Sequence, residues 1–304
     1  MHPTVDGVIL PPVKRKGRRG RNMKLRLVLL LTLLAGTFVA DAAGTKADVR
    51  KTIENSMLVT GTIDIGIDGA AIGHRLDQPE KLPGFVRDLV TKAATEMRFE
   101  PVLLGGKPVK ARAKMGVRVA ARKLENGNYQ LRIASTSFGE QGGDDAESVT
   151  KEKMRPPEYP MDAAMRNVSG TVYLVLKIGR QGTVEDLVVE QINLTVLGNE
   201  RQMEQSRKWL AEASMDAARK WKFRIPTRGE SADDSFWSLR VPVAFLLRSQ
   251  KEPAYGQWDA YIPGPQARPA WIDADEAMQN PDAMIAGGLY QVGKGPRLVT
   301  PSQG

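Results

Sequence analysis

Four pieces of sequence decide the architecture: PPEYPMDAA (156–164), GTVYLVLKIGRQGTVEDLVVEQ (170–191), ARKWKFRIP (218–226) and LRVPVAFLL (239–247). In the second piece Val172, Leu174, Leu176 and Ile178 alternate with residues of the opposite face. Arg180-Gln181-Gly182 breaks the run and Val184 to Val189 resume it, the pattern of two strands around a turn. From Met203 the period lengthens: Met203, Leu210, Ala213, Ala217 and Trp221 line one face of a helix. Trp237, Leu239, Val241, Val243, Phe245 and Leu247 then alternate again. Period alone predicts strand, strand, helix, strand.

The same order occurs upstream. Val59, Ile63, Ile65 and Ile67 alternate before the turn signal Asp68-Gly69, and Ala71 to Leu76 forms a short second strand. Val86, Leu89, Val90, Ala93 and Met97 trace a helix, with Pro83 near its first turn, where a missing N–H costs little. FEP (99–101) ends it, GGKP turns the chain, residues 110–123 form a strand, and YQLRIAS (129–135) returns. The sequence therefore predicts an internal repeat of α+β class: two small units, each an antiparallel sheet packed by a helix. The units are expected at 43–136 and 156–250, joined by a glycine- and charge-rich linker at 137–155. Residues 251–304 are rich in proline and glycine, yet they carry Tyr255, Trp258, Tyr261, Trp271 and Tyr290. Disordered segments are poor in aromatics. A mostly extended tail anchored by Trp258 and Trp271 is expected, with a brief helical candidate at 273–284.

The order of Tyr159-Pro160 and Ala163, then Gly170 and Val172, Gly182 and Val184, Trp221, Phe223 and Pro226, and last Val241 and Phe245 resembles the C-terminal domain of the TonB family. These are energy transducers that reach outer-membrane receptors across the bacterial periplasm. In the last strand, Pro242 removes a backbone donor, which argues for an edge or a bulge. An exposed edge is a template for another strand. The resemblance implies that Phe236–Phe245 takes up a receptor's short segment by β-augmentation, with Phe236, Ser238, Arg240, Pro242, Ala244 and Phe245 as the contact residues. Capping of this edge by the tail or by the other unit is the equal alternative.

The formal charge of +9 is concentrated at the N-terminus, where Lys14, Arg15, Lys16, Arg18, Arg19, Arg21, Lys24 and Arg26 stand against Asp6 and Asp41. The apolar run 25–40 follows directly, with Ala40 and Ala42 after it. This is the form of a secretory signal peptide over residues 1–42, with Met23 as the expected initiator. The run is shorter than the ~20 residues a span needs. A periplasmic location is therefore expected, with a retained inner-membrane anchor as the alternative. The long proline-rich spacer of the TonB family is absent, and residues 25–40 lack the histidine and serine of a transducer's anchor.

The chain has no cysteine, which excludes disulfides and thiol chemistry. His74, beside Asp77 and Glu80, is the one candidate base past the leader, and a solvated loop histidine accounts for it better. LGGKP (104–108) is no phosphate loop, because Pro108 follows the lysine and a strand comes next. Trp221 and Trp237 read as core, while Trp209 is open between core and contact residue. The resulting expectation is a non-catalytic protein with no cofactor, metal or nucleic acid. It would bind a protein or peptide partner, a receptor segment or another envelope protein, and would meet membrane only through a retained leader. A structural envelope module that binds peptidoglycan is the alternative, and an exported hydrolase the remote one.

Overall fold

A computed structural model describes residues 53–299 apart from 125, 127, 140–145, 249, 252 and 273–280. The leader and most of the helical candidate at 273–284 lie outside the described residues. The fold is α+β, built on antiparallel sheets.

β1 (Glu54–Ile65) buries Met57, Val59, Ile63 and Ile65. Ile67, read as the next member of that row, is 58% exposed, because the chain has already entered the turn closed by Gly69 N–H donating to Gly66 O. β2 (Ala71–Leu76) returns along β1. Pro83 caps α1 (Gly84–Glu96), whose Val86, Val90 and Ala94 face the sheet at helical spacing. Residues 103–108 form more than a turn, since β3 (Leu103–Leu104) and β4 (Lys107–Pro108) make a small hairpin. β5 (Ala111–Lys123) and β6 (Tyr129–Phe138) complete the sheet, in the order β2-β1-β5-β6.

The stretch read as a linker contains β7 (Thr150–Lys153). After α2 (Met161–Met165), β8 (Gly170–Gly179) and β9 (Val184–Leu194) form the expected hairpin. α3 (Glu200–Ala218) starts in a capping box, with Asn199 accepting from the Gln202 N–H and the Gln202 side chain accepting from the Asn199 N–H. Its buried stripe is Met203, Ser206, Leu210, Ser214 and Ala218. The periodicity reading missed the two serines, which are tolerated there because each hydroxyl donates to the carbonyl four residues back, both at 2.7 Å. Trp221, read as part of this stripe, lies past the helix end. β10 (Lys222–Arg224) pairs with β7, and β11 (Phe236–Phe245) lies along β8.

The tail supplies two short strands. β12 (Asp259–Tyr261) pairs with β1 at Glu54–Ser56, and β13 (Tyr290–Gln291) pairs with β11, giving the order β9-β8-β11-β13. Between them Ile262 bridges Leu194 of β9, and Pro281–Ala283 makes one 3-10 turn. Tyr255 and Trp258 pack against the first core.

Candidate partner-binding edge

Alternation along β11 sorts the residues expected to meet a partner. Trp237, Leu239, Val241, Val243 and Phe245 face inward onto β8 and α3. Phe245 therefore belongs to the core, 3% exposed and edge-to-face on Tyr159 at 5.6 Å, and is not on a partner face. Ser238, Arg240, Pro242 and Ala244 share the opposite face. Phe236 is half-buried, with Lys177 Nζ 4.5 Å from its ring centre.

On that face Ser238 Oγ accepts from Trp271 Nε1 at 3.2 Å. Arg240 reaches across β8 to Glu190 of β9, with Nε donating to Oε2 and Nη2 to Oε1, each at 2.9 Å, and both side chains are nearly inaccessible. A guanidinium and a carboxylate in this paired geometry are among the few charges that tolerate burial. Sequence reasoning missed Glu190. The available signal was one charge at an apolar run in each strand, LVVE and LRVPV.

The family-motif residues are structural. The Tyr159 hydroxyl donates to Val168 O, and burial pushes its pKa up. Pro160 caps α2 and Gly170 opens β8. Gly182 (φ 69°) turns the chain so that its carbonyl accepts the Phe223 N–H at 2.8 Å. A Cβ there would lie 2.0 Å from Phe223 O, so only glycine fits. Trp221 Nε1 donates to Arg155 O at 2.7 Å, and Phe223 and Pro226 are buried. Trp237 is core, as expected, and Trp209 is half-buried under the Arg166 guanidinium.

The inner side of β11 pairs with β8 from Phe236 to Phe245. Among the described residues the outer side carries only Leu239↔Gln291 and Arg240↔Tyr290, flanked by Gly287 N–H to Pro242 O and Val292 N–H to Ser238 O, both 2.8 Å. Because a strand residue's N–H and C=O point to the same side, the donor that Pro242 lacks would also have faced outward.

Behind this edge a polar layer joins both sheets to the tail. The Asp282 carboxylate accepts from Asn193 Nδ2 (β9) and from the Tyr261 hydroxyl at 3.1 Å (β12), and its backbone carbonyl accepts from Arg118 Nε (β5) at 2.7 Å. Burial raises the Asp282 pKa, against the lowering influence of Arg118, Asn193 and Tyr261. Burial also raises the phenols of Tyr173 and Tyr261.

His74, expected in a loop, lies in β2 opposite Ile63 and lines an open groove of about 710 Å³ with Thr60, Asp77, Glu80, Arg87 and Thr91. Its Nε2 lies 3.4 Å from Thr91 Oγ1, while Asp77 is engaged by the Thr60 hydroxyl at 2.7 Å. Among the described residues no three histidine or carboxylate side chains gather as a metal site requires. No described helix is long and apolar enough to cross a membrane.

Two curated proteins named Protein TonB, from two strains of Xanthomonas campestris pv. campestris, are each 35% identical to this chain over 100 residues. This similarity supports a relationship to the TonB family at the level of its C-terminal domain. The match takes in 33% of this chain and spans only 38% of the length of each TonB relative. No protein-family model matches the chain, and no solved structure matches it significantly.

Proposed function

We propose that this is a non-catalytic TonB-like protein of the bacterial envelope. It works in energy-coupled transport by pairing the outer edge of β11 with an extended segment of an outer-membrane receptor. In this reading residues 1–42 are the export signal, the working domains lie in the periplasm, and the halves 43–136 and 156–250 are two copies of one domain. The TonB relationship supports the role. The observation that carries the edge is the asymmetry of β11, fully paired with β8 on one side and with two tail residues on the other. Main-chain bonds to such an edge supply affinity, and alternate side chains supply selectivity.

The test is binding of a synthetic peptide carrying a TonB-dependent receptor's N-terminal segment, followed by fluorescence anisotropy. Ala244 pairs with Thr171 on β8, and its N–H points outward with those of Arg240 and Ser238. Ala244→Pro removes that donor and leaves the β8 ladder intact, so affinity is expected to fall about tenfold with circular dichroism unchanged. Undiminished binding would sink the reading.

A further inference from the structure

The two sheets differ at the ends that carry the β1–β2 and β8–β9 turns. In the second half that end is polar. Arg180 Nη1 donates to Ala232 O at 3.0 Å and to Asp234 O at 2.9 Å, and the loop TRGESADDS (227–235) carries Glu230, Asp233 and Asp234. In the first half the same place, between helix and last long strand, is taken by the β3–β4 hairpin LLGGKP (103–108). At its base Val109 N–H donates to Val102 O at 2.9 Å, and Gly105 (φ 58°) and Gly106 (φ 75°) form its tip. Positive φ at both positions gives the tight two-residue turn whose twist suits a β-ribbon. Neighbouring residues of a strand face opposite sides. Leu103 and Leu104 are nonetheless 57% and 74% exposed, so neither side of the ribbon lies on the body of the protein. A Cβ at either tip glycine would meet nothing within 4 Å. Because Ala111 pairs with Ile65, the hairpin leaves the sheet at the end where Ile67 and Ile72 are also exposed.

A two-stranded ribbon alone is marginal in water, and leucine on both of its sides adds apolar surface that the fold does not cover. A protein surface covers one side of a ribbon, whereas the interfacial layer of a bilayer surrounds both. The charge around the hairpin fits that occupant. Lys107 and Lys110 are exposed, and no acidic residue occurs from Pro101 to Arg112. A lysine stem lies along apolar surface while its ammonium stays at the water boundary, where lipid phosphates are. We propose that the β3–β4 hairpin is a membrane-docking finger. It sinks Leu103 and Leu104 into the interfacial layer of an anionic phospholipid bilayer and sets Lys107 and Lys110 against the headgroups. Insertion is shallow, within the roughly 5–10 Å that interfacial elements reach, so the backbone of the tip keeps headgroups and water as hydrogen-bond partners. The corresponding loop of the second half has three acids against Arg228 and no leucine, and the same surface repels it. The finger thus belongs to the first half and acts independently of the β11 edge.

The test uses the full chain, which has no cysteine of its own to compete for a thiol label. Leu104→Cys carrying the fluorophore NBD reports the tip, and Glu230→Cys carrying the same label reports the corresponding loop. The apolar run 25–40 can bring the chain to a bilayer by itself, so the readout is the surroundings of each label and not co-sedimentation. On vesicles of phosphatidylglycerol and phosphatidylcholine in equal parts, the label at 104 is expected to shift to the blue and to be quenched by a lipid-borne spin label. The label at 230 is expected to stay as it is in water. Adding Lys107→Glu and Lys110→Glu to the Leu104→Cys chain is expected to raise the lipid needed for half the shift at least about tenfold. An unshifted label at 104 overturns the proposal. Equal shifts at 104 and 230 overturn it too, because they place the chain and not the finger in the interface. An equal shift at 104 on pure phosphatidylcholine, indifferent to the two glutamates, overturns the anionic surface. A hairpin that meets a second copy of the chain gives a dimer in sedimentation velocity that Leu103→Ser with Leu104→Ser dissolves, and that outcome also overturns the proposal.

Discussion

The two halves of the molecule share a sheet order and a turn contact, and they differ in how the sheet is closed. In the first half the Gly69 carbonyl accepts the Phe99 N–H at 2.8 Å, and in the second Gly182 does the same for Phe223. Both halves pack one long helix across the same layer. β6 then seals the first sheet with a hairpin strand of ten residues, whereas the second is finished by two residues of a distant tail. An edge filled by a long hairpin neighbour is held more firmly than one filled by a short distant strand, and in the proposed reading that difference marks the second half as the one that binds.

The outer faces differ as well. The second sheet buries the Glu190–Arg240 pair beneath the tail, while the first carries Asp64–Arg112 in the open, their side chains 34% and 71% exposed. Glu190→Gln strands a buried guanidinium and should lower unfolding free energy by about 3–5 kcal/mol in urea titration. Asp64→Asn should leave the midpoint where it is, although Arg112 holds the Asp64 carboxyl below its ordinary pKa. Equal effects would erase the contrast between the two faces.

The shared turn makes the next prediction. A Cβ at Gly69 would lie 1.9 Å from Phe99 O and one at Gly182 2.0 Å from Phe223 O, and both residues have positive φ. Gly69→Ala and Gly182→Ala should each cost about 3 kcal/mol. If one is tolerated, the halves do not share this turn in any meaningful sense.

A smaller effect separates the two closing strands. Ile133 in β6 and Leu289 beside β13 are both nearly inaccessible. Ile133→Ala should cost about 3 kcal/mol by leaving a cavity. Leu289→Ala should cost less, about 1 kcal/mol, because a two-residue pairing holds its segment more weakly than the nine-residue ladder of β6. Matching losses would make β13 as permanent as β6.

The smallest effect is a slope with pH. Burial raises the Asp282 pKa in the folded chain, so the folded state favours the protonated carboxyl. The stability this group contributes is full below its unfolded pKa of about 3.9 and is lost as pH rises through the folded value. Relative to Asp282→Asn, the wild-type chain should weaken between pH 4 and pH 7 in thermal melts. A flat difference would show that the tail's anchor does not titrate.

Much of this was legible along the chain. Alternation located β1, β8 and β11, helical spacing located α1 and α3, and Pro242 marked an outward-facing gap in the last long strand. Phe245 was misplaced on the partner face only because the strand was taken whole, whereas parity along it separates Phe245 from Ser238, Arg240, Pro242 and Ala244. Ser206 and Ser214 escaped because a hydroxyl bonded to its own helix behaves as a core residue, which residue type alone does not announce. β7 escaped because TKEK has strand geometry only through its partner β10.

By itself the sequence determined the class and order of the elements, since a period of two or of 3.6 is a local property of the chain. Tertiary structure alone decided where the tail goes. A strand of two or three residues has no period to read, and the pairings of Glu54–Ser56 with Asp259–Tyr261 and of Leu239–Arg240 with Tyr290–Gln291 exist only once two finished sheets present unpaired backbone for the tail to satisfy.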